Sequence, residues 1–141
     1  MTYYQKFNND YKKGISNEDR VLEFLNKDNI NKFCKCSKNY EFDFMNLEYT
    51  IELKSRNNNH NTYPSTMCGY NKLKIAEENP DKKYKFLFLF KDGLYEWDFK
   101  KDEYTVKKGG RKDRGKFEYK DYAYINISNL NCLSEDIKSI F

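Results

Sequence analysis

Histidine is almost missing from this chain of 141 residues: His60 is the only one. A site that needs two histidines is therefore excluded. Apolar residues never run to the 18 or so that a transmembrane helix requires, which excludes a helical membrane span. The first residues, MTYYQKFNNDYKK, lack the apolar stretch of a secretion signal. The expected location is accordingly intracellular, cytoplasmic or nuclear. The four cysteines, Cys34, Cys36, Cys68 and Cys132, contain no CxxC pair. Even with His60 counted, their spacing matches no standard zinc finger, and without a secretion route a disulfide framework is not expected. No Gly-x-x-x-x-Gly-Lys-Ser/Thr pattern exists, so the glycines form no nucleotide-binding P-loop. Internal repeats and linkers are also lacking, and residues 1–141 are expected to form a single domain.

Aromatic rings are abundant. Apolar residues make up only 38% of the chain, but aromatics reach 18%, with 13 Tyr and 11 Phe. Large rings can build a core from few residues, which argues against disorder despite the polar average. The formal net charge of +4 is mildly basic and compatible with a nucleic-acid partner. Local clustering says more. KKGGRKDRGK sets six basic residues, Lys107, Lys108, Arg111, Lys112, Arg114 and Lys116, against one acid. Such a loop suits phosphate backbone, because cation contacts that release counterions dominate nucleic-acid affinity. A solvated basic hairpin without a ligand would look the same.

The densest information lies in YEFDFMNLEYTIELKSR, from Tyr40 to Arg56. Its alternation predicts a β-hairpin. With the turn at Asn46-Leu47, Met45 pairs with Glu48, Phe44 with Tyr49 and Asp43 with Thr50. Tyr40, Phe42, Phe44, Tyr49, Ile51 and Leu53 then share an apolar face. Glu41, Asp43, Met45, Glu48, Thr50, Glu52 and Lys54 share the other. Glu41 lies opposite Glu52, with Asp43 diagonal to it. Like charges across a ladder cost up to about 1 kcal/mol. A divalent cation would reverse that sign, because hard ions such as Mg²⁺ take carboxylate and phosphate oxygens. Lys54 points the same way and could hold a water or a phosphate oxygen.

Asp43, eight intervening residues and Glu52-Leu53-Lys54 resemble the site of the PD-(D/E)xK nuclease superfamily, which includes Holliday-junction-resolvase-like members. The residues before Asp43 are Asn-Tyr-Glu-Phe, without the proline of the first motif. The resemblance implies a restriction-endonuclease-like α/β fold: an αβββαβ core, with a mixed central sheet flanked by helices, over about residues 14–91. Residues 92–141 are expected to form a β-rich C-terminal extension. It further implies that Asp43, Glu52 and the Leu53 carbonyl hold Mg²⁺ or Mn²⁺, and that Lys54 orients and helps deprotonate the attacking water. Glu18 would support the metal or its water shell, with Glu23 as the substitute on the same helix. Arg56 would hold the scissile phosphate, although a solvent-facing strand end explains it equally. A lone histidine in a polar loop, His60 is expected to be exposed and inert. Lys72 and Lys74 offer phosphate contacts or a solvated helix face.

The order of elements agrees with this core. Ser16-Asn17-Glu18-Asp19 can cap a first helix whose apolar face is Val21, Leu22, Phe24 and Leu25. A strand is expected over Ile30–Ser37, the hairpin follows, and a second helix is expected over Thr66–Glu78. KYKFLFLFK, Lys83–Lys91, reads as a buried central strand, and Asp92-Gly93 as a hairpin turn into LYEWDF. Glu103–Lys107 and Tyr119–Ile127 are later strands, and a short helix is expected from Ser134. The functional expectation is a metal-dependent endonuclease hydrolysing DNA, for which double-strand cutting would require a homodimer or sequential nicks. A non-cleaving nucleic-acid-binding module and a structural protein with an acidic hairpin face are the alternatives.

Overall fold

The computed structural model describes residues 17–111 and 118–141. The first helix, α1, spans residues 17–26 of the described chain. Its expected cap, Ser16, lies outside it. Val21 is fully buried, and Leu22, Phe24 and Leu25 pack around the same cluster, as the apolar spacing requires. The helix stops where Asn26 turns its side chain onto the backbone of Phe33, accepting from its N–H at 2.7 Å and donating to its carbonyl at 3.1 Å.

Three strands follow: β1 (Cys34–Lys35), β2 (Phe44–Met45) and β3 (Tyr49–Ser55). The strand expected over Ile30–Ser37 shrinks to two residues. Next come β4 (Ser65–Gly69) and α2 (Tyr70–Glu78), then β5 (Lys83–Phe90) and β6 (Gly93–Asp98). The chain continues through β7 (Tyr104–Arg111), β8 (Glu118–Asn126), a 3-10 turn at Ile127–Asn129 and β9 (Asn131–Ser134). Six strands form the main sheet in the order β1-β2-β3-β5-β6-β9, and β4-β8-β7 form a second, antiparallel one. β3 and β5 are parallel, while every other neighbouring pair of the main sheet is antiparallel.

β5 explains the layering. It is almost wholly apolar because both faces are covered. Leu87 and Leu89 meet Val21, Phe44, Ile51, Leu53 and Leu94 beneath α1. Tyr84, Phe86, Phe88 and Phe90 meet Leu73 and Ala76 of α2, and Cys68, Ala123 and Ile125 of the second sheet. At about 1.5–3 kcal/mol for each fully buried large side chain, this one strand is a dominant stabiliser. The Asp92-Gly93 turn joins it to β6 as expected. A side chain at Gly93 would bring its Cβ within 2.7 Å of the Ser134 carbonyl oxygen, so the turn demands glycine.

Four local expectations are corrected. The turn of the β2–β3 hairpin is at Leu47-Glu48, because the Asn46 side chain accepts from the N–H groups of Glu48 (2.8 Å) and Tyr49 (2.6 Å). Phe44 therefore pairs with Ile51 and Met45 with Thr50. The first four residues of the expected second helix, 66–69, belong to β4 instead, pairing with β8 so that Thr66 and Cys68 point inward. Lys107, Lys108, Gly109 and Gly110 belong to β7 rather than a loop. No helix forms after Ser134 either. There Ser139 N–H donates to the Phe90 carbonyl at 2.9 Å, and Ile140 exchanges two bonds with the Asn17 side chain, so tertiary partners replace helical ones. No helix among the described residues is long and apolar enough to cross a membrane.

Candidate active site

Asp43 stands where β2 fails. Its N–H donates to the Ile51 carbonyl at 3.0 Å, while Phe44 is the Cα partner of the same Ile51. Two residues against one is the arrangement of a β-bulge, which redirects side chains. As a result Phe42 and Phe44 do not share a face: Phe42 packs on Tyr84 in the α2 layer and Phe44 under α1. The expectation of one continuous apolar face fails at that point. The bulge and the shifted register bring Asp43, rather than Glu41, beside Glu52.

The Asp43 carboxylate accepts a hydrogen bond from the Leu53 N–H at 2.8 Å. In a strand, the N–H and C=O of one residue point to the same edge. The Leu53 carbonyl thus also faces the edge that β2 has abandoned. Glu52, in register with Phe86 of β5, points to the α2 side, and its side chain is only 6% exposed. Lys54 Nζ lies 3.3 Å from one of its oxygens, and Lys72 Nζ, from α2, lies 3.9 Å from the other. Lys72 also donates to the Glu41 carbonyl and sits over the Phe42 ring, 5.3 Å from its centroid. Lys74 is exposed on the other side of α2, beside Lys120.

Electrostatics set this site apart. Burial pushes the Glu52 carboxyl up, and the Asp43 charge adds to that, so the ionised form is penalised although Lys54 and Lys72 oppose the rise. Burial also raises Glu18, on the first turn of α1, and the next cause is again Asp43. Glu18 and Glu52 therefore feel the same aspartate from opposite layers. Lys35 lies 3.9 Å from Glu18 and 2.5 Å from Asp19. Glu23 is placed elsewhere, in a cleft with Arg20, Lys27 and Asp136. Cys36, whose N–H donates to the Asp43 carbonyl at 2.8 Å, is raised by burial and then by the Asp43 charge.

Arg56 leaves the end of β3 and donates to the Met67 carbonyl on β4. Among the described residues no carboxylate lies within ion-pair distance of it. His60 is not the free loop histidine that its surroundings in the sequence suggested. Its Nδ1 is 2.5 Å from the Asp92 carboxylate, its N–H donates to the same group at 2.9 Å, and its ring stacks on Tyr95. The signal for this partner was the Asp92-Gly93 turn, which carries the acid back toward the loop. Lys107 and Lys108 are exposed on β7, which Arg111 closes. Lys112, Arg114 and Lys116 lie outside the described residues.

Among the described residues, no three histidine, cysteine or acidic side chains converge as a metal-binding group. A hard ion such as Mg²⁺ asks less of a protein, since one or two carboxylates suffice when water and phosphate supply the rest. Asp43, Glu52 and the Leu53 carbonyl meet that demand, and they do so where crowded negative charge disfavours an ionised carboxylate. The donor set fits such an ion.

An aspartate followed on the next strand by Glu-x-Lys resembles the motif of the PD-(D/E)xK nuclease superfamily. The chain belongs to the family described as "Phage putative PDDEXK endonuclease", whose model matches residues 6–133. No curated protein and no solved structure matches it. The mixed α/β architecture, mostly sheet with two helices among the described residues, is consistent with a restriction-endonuclease-like fold.

Proposed function

We propose that this protein is a single-domain, metal-dependent endonuclease that hydrolyses DNA phosphodiester bonds at Asp43, Glu52 and Lys54. The observation that carries the reading is Glu52: buried, ionised at a cost, flanked by two lysines, and facing an aspartate across a broken strand edge. An ordinary solvated sheet face would not bury its glutamate. In this reading the core elements α1, β1–β3, α2 and β5 are those of the restriction-endonuclease-like fold, with β4 inserted ahead of α2.

Asp43 and Glu52 hold Mg²⁺ or Mn²⁺ through carboxylate oxygens, the Leu53 carbonyl adds a neutral one, and Glu18 acts on the water shell. When bound, the ion supplies stabilisation of the charge that develops on the scissile phosphate. Lys54 orients the attacking water and eases its deprotonation. It can do so because its ammonium is anchored on Glu52 while the side chain remains partly exposed. Lys72 neutralises the second Glu52 oxygen from α2. Arg56, Lys107, Lys108, Arg111, Lys112, Arg114 and Lys116 bind phosphates flanking the cut.

Titrating Mg²⁺ and Mn²⁺ against plasmid and branched DNA tests the assignment. Wild-type protein is expected to nick, and Asp43→Ala and Lys54→Ala to lose that activity at least about a hundredfold. Metal-dependent cutting that survives either change would remove these residues from the mechanism.

A further inference from the structure

We propose that the outer face of the β4–β8–β7 sheet is a base-stacking platform for an unpaired nucleic-acid strand continuing from the cutting site. It rests on the nuclease reading for the class of ligand. The inner face of this sheet is committed to the core through Thr66, Cys68, Ala123 and Ile125. Alternation then turns Ser65, Met67, Lys120, Tyr122, Tyr124, Asn126, Thr105, Lys107 and Gly109 outward. Cross-strand pairing sets Met67 and Thr105 on either side of Tyr124, and Lys107 beside Tyr122.

The two tyrosines are two residues apart on one strand, hence about 7 Å apart. Each is half-buried, with its ring partly open to solvent. Lys107 Nζ lies 5.6 Å from the Tyr124 ring centroid. Gly109 matters here, since a Cβ at that position would come within 3.0 Å of the Tyr122 ring. A larger residue would push the ring off the sheet.

Each tyrosine also walls a cleft. Tyr124 does so with Arg56, His60, Tyr63 and Met67, around about 400 Å³. Tyr122 does so with Asn71, Lys74 and Lys120, around about 360 Å³. The outward positions named above include two lysines, Lys107 and Lys120. Asp121, at the rim of the second cleft, alternates to the other side. Cations beside open rings suit an anionic, π-faced ligand, and a nucleic-acid strand is both. A duplex buries its base faces, so the platform serves unpaired nucleotides.

Continuity with the active site comes from Arg56. Two residues beyond Lys54, it reaches the Met67 carbonyl on β4, the edge strand of its sheet among the described residues. A strand held at Lys54 and Arg56 is thereby led across Met67 onto Tyr124 and Tyr122.

The test compares wild type with Tyr122→Ala/Tyr124→Ala and Tyr122→Phe/Tyr124→Phe, each checked by thermal unfolding. Binding of a fluorescent twelve-nucleotide single-stranded DNA is measured in EDTA. Cleavage of plain duplex and of duplex bearing a single-stranded arm is measured in Mn²⁺. The alanine pair is expected to weaken single-strand binding at least about tenfold, because each lost stacking contact is sizeable. It should abolish preference for the armed substrate while plain duplex is cut as before, and the phenylalanine pair should bind like wild type. Normal metal-dependent cleavage with single-strand binding untouched by the alanine pair would overturn the platform and leave the nuclease reading standing. Binding lost in the alanine pair, with no cleavage by any form, would uphold the platform and remove the nuclease. Absence of single-strand binding in wild type would overturn the platform, whatever the cleavage result.

Discussion

The main sheet carries two partly buried lysine–carboxylate clusters, one on each face, and they behave oppositely. Under the α1 layer, Lys85 serves two acids, Glu96 at 3.3 Å and Asp98 at 3.7 Å, with its ammonium 4.5 Å from the Tyr49 ring centroid. Burial works to lower the Lys85 pKa, but Glu96 and Asp98 outweigh it, and the group ends above its ordinary value. On the α2 side, Lys54 and Lys72 serve the single acid Glu52, and still its carboxyl is raised. Two cations fail there where two anions succeed at Lys85, because Glu52 is more deeply buried and must share its space with Asp43. The Lys85 cluster is a satisfied ion pair. The Glu52 carboxyl stays raised by burial and by Asp43, which is the state the proposed metal site would have before its metal arrives.

The sharpest way to break this comparison is to neutralise one acid in each cluster. Glu52→Ala is expected to reduce metal-dependent plasmid nicking by about a thousandfold or more, since it removes charge that stabilises the transition state through the ion. Glu96→Gln should leave the rate within about twofold. Equal losses would mean that Glu52 acts only through the fold.

Metal binding offers a smaller, purely thermodynamic contrast. At a Mg²⁺ concentration about a hundred times its dissociation constant, linkage contributes about 2.7 kcal/mol to the folded state. For a domain of this size that raises the melting temperature by about 9 °C. The shift should vanish in Glu52→Gln and persist in Glu96→Gln. A shift that survives Glu52→Gln would place the ion elsewhere.

The smallest effect is in pH. A raised folded-state pKa means that Glu52 favours folding while protonated, below the ordinary carboxylate range, and that this advantage is lost as pH rises through its folded value. In EDTA, wild type is therefore expected to lose stability relative to Glu52→Gln as pH climbs from about 4.5 toward neutrality. Melting curves across that range check the sign. The opposite slope would mean that Lys54 and Lys72 overcompensate.

Alternation along the hairpin was enough to set Glu52 and Lys54 on one side of β3 and Ile51 and Leu53 on the other. It could not choose the register. Moving the turn by one residue slides the pairing by two and preserves every face, so the turn set by the Asn46 side chain, together with the bulge, brings Asp43 to Glu52. The bulge at Asp43 left no composition signal, and Phe42 paid for it by changing layers. Local pattern alone reads β4 as the start of a helix, because its partner, β8, lies more than fifty residues away. Lys72 and Lys74 look alike in the sequence, yet α2 turns one onto Glu52 and the other outward.

By itself, the sequence determined the apolar β5 strand, the turn at Gly93, the buried face of α1, and an acid followed by Glu-x-Lys on alternating positions. These are local properties of period and turn chemistry, readable wherever neighbours along the chain supply the constraint. Tertiary structure alone decided that β2 breaks at Asp43, that α2 delivers Lys72 to a buried Glu52, and that a second sheet sets two tyrosines outward. Each depends on contacts between distant segments, whose energies no stretch of sequence contains.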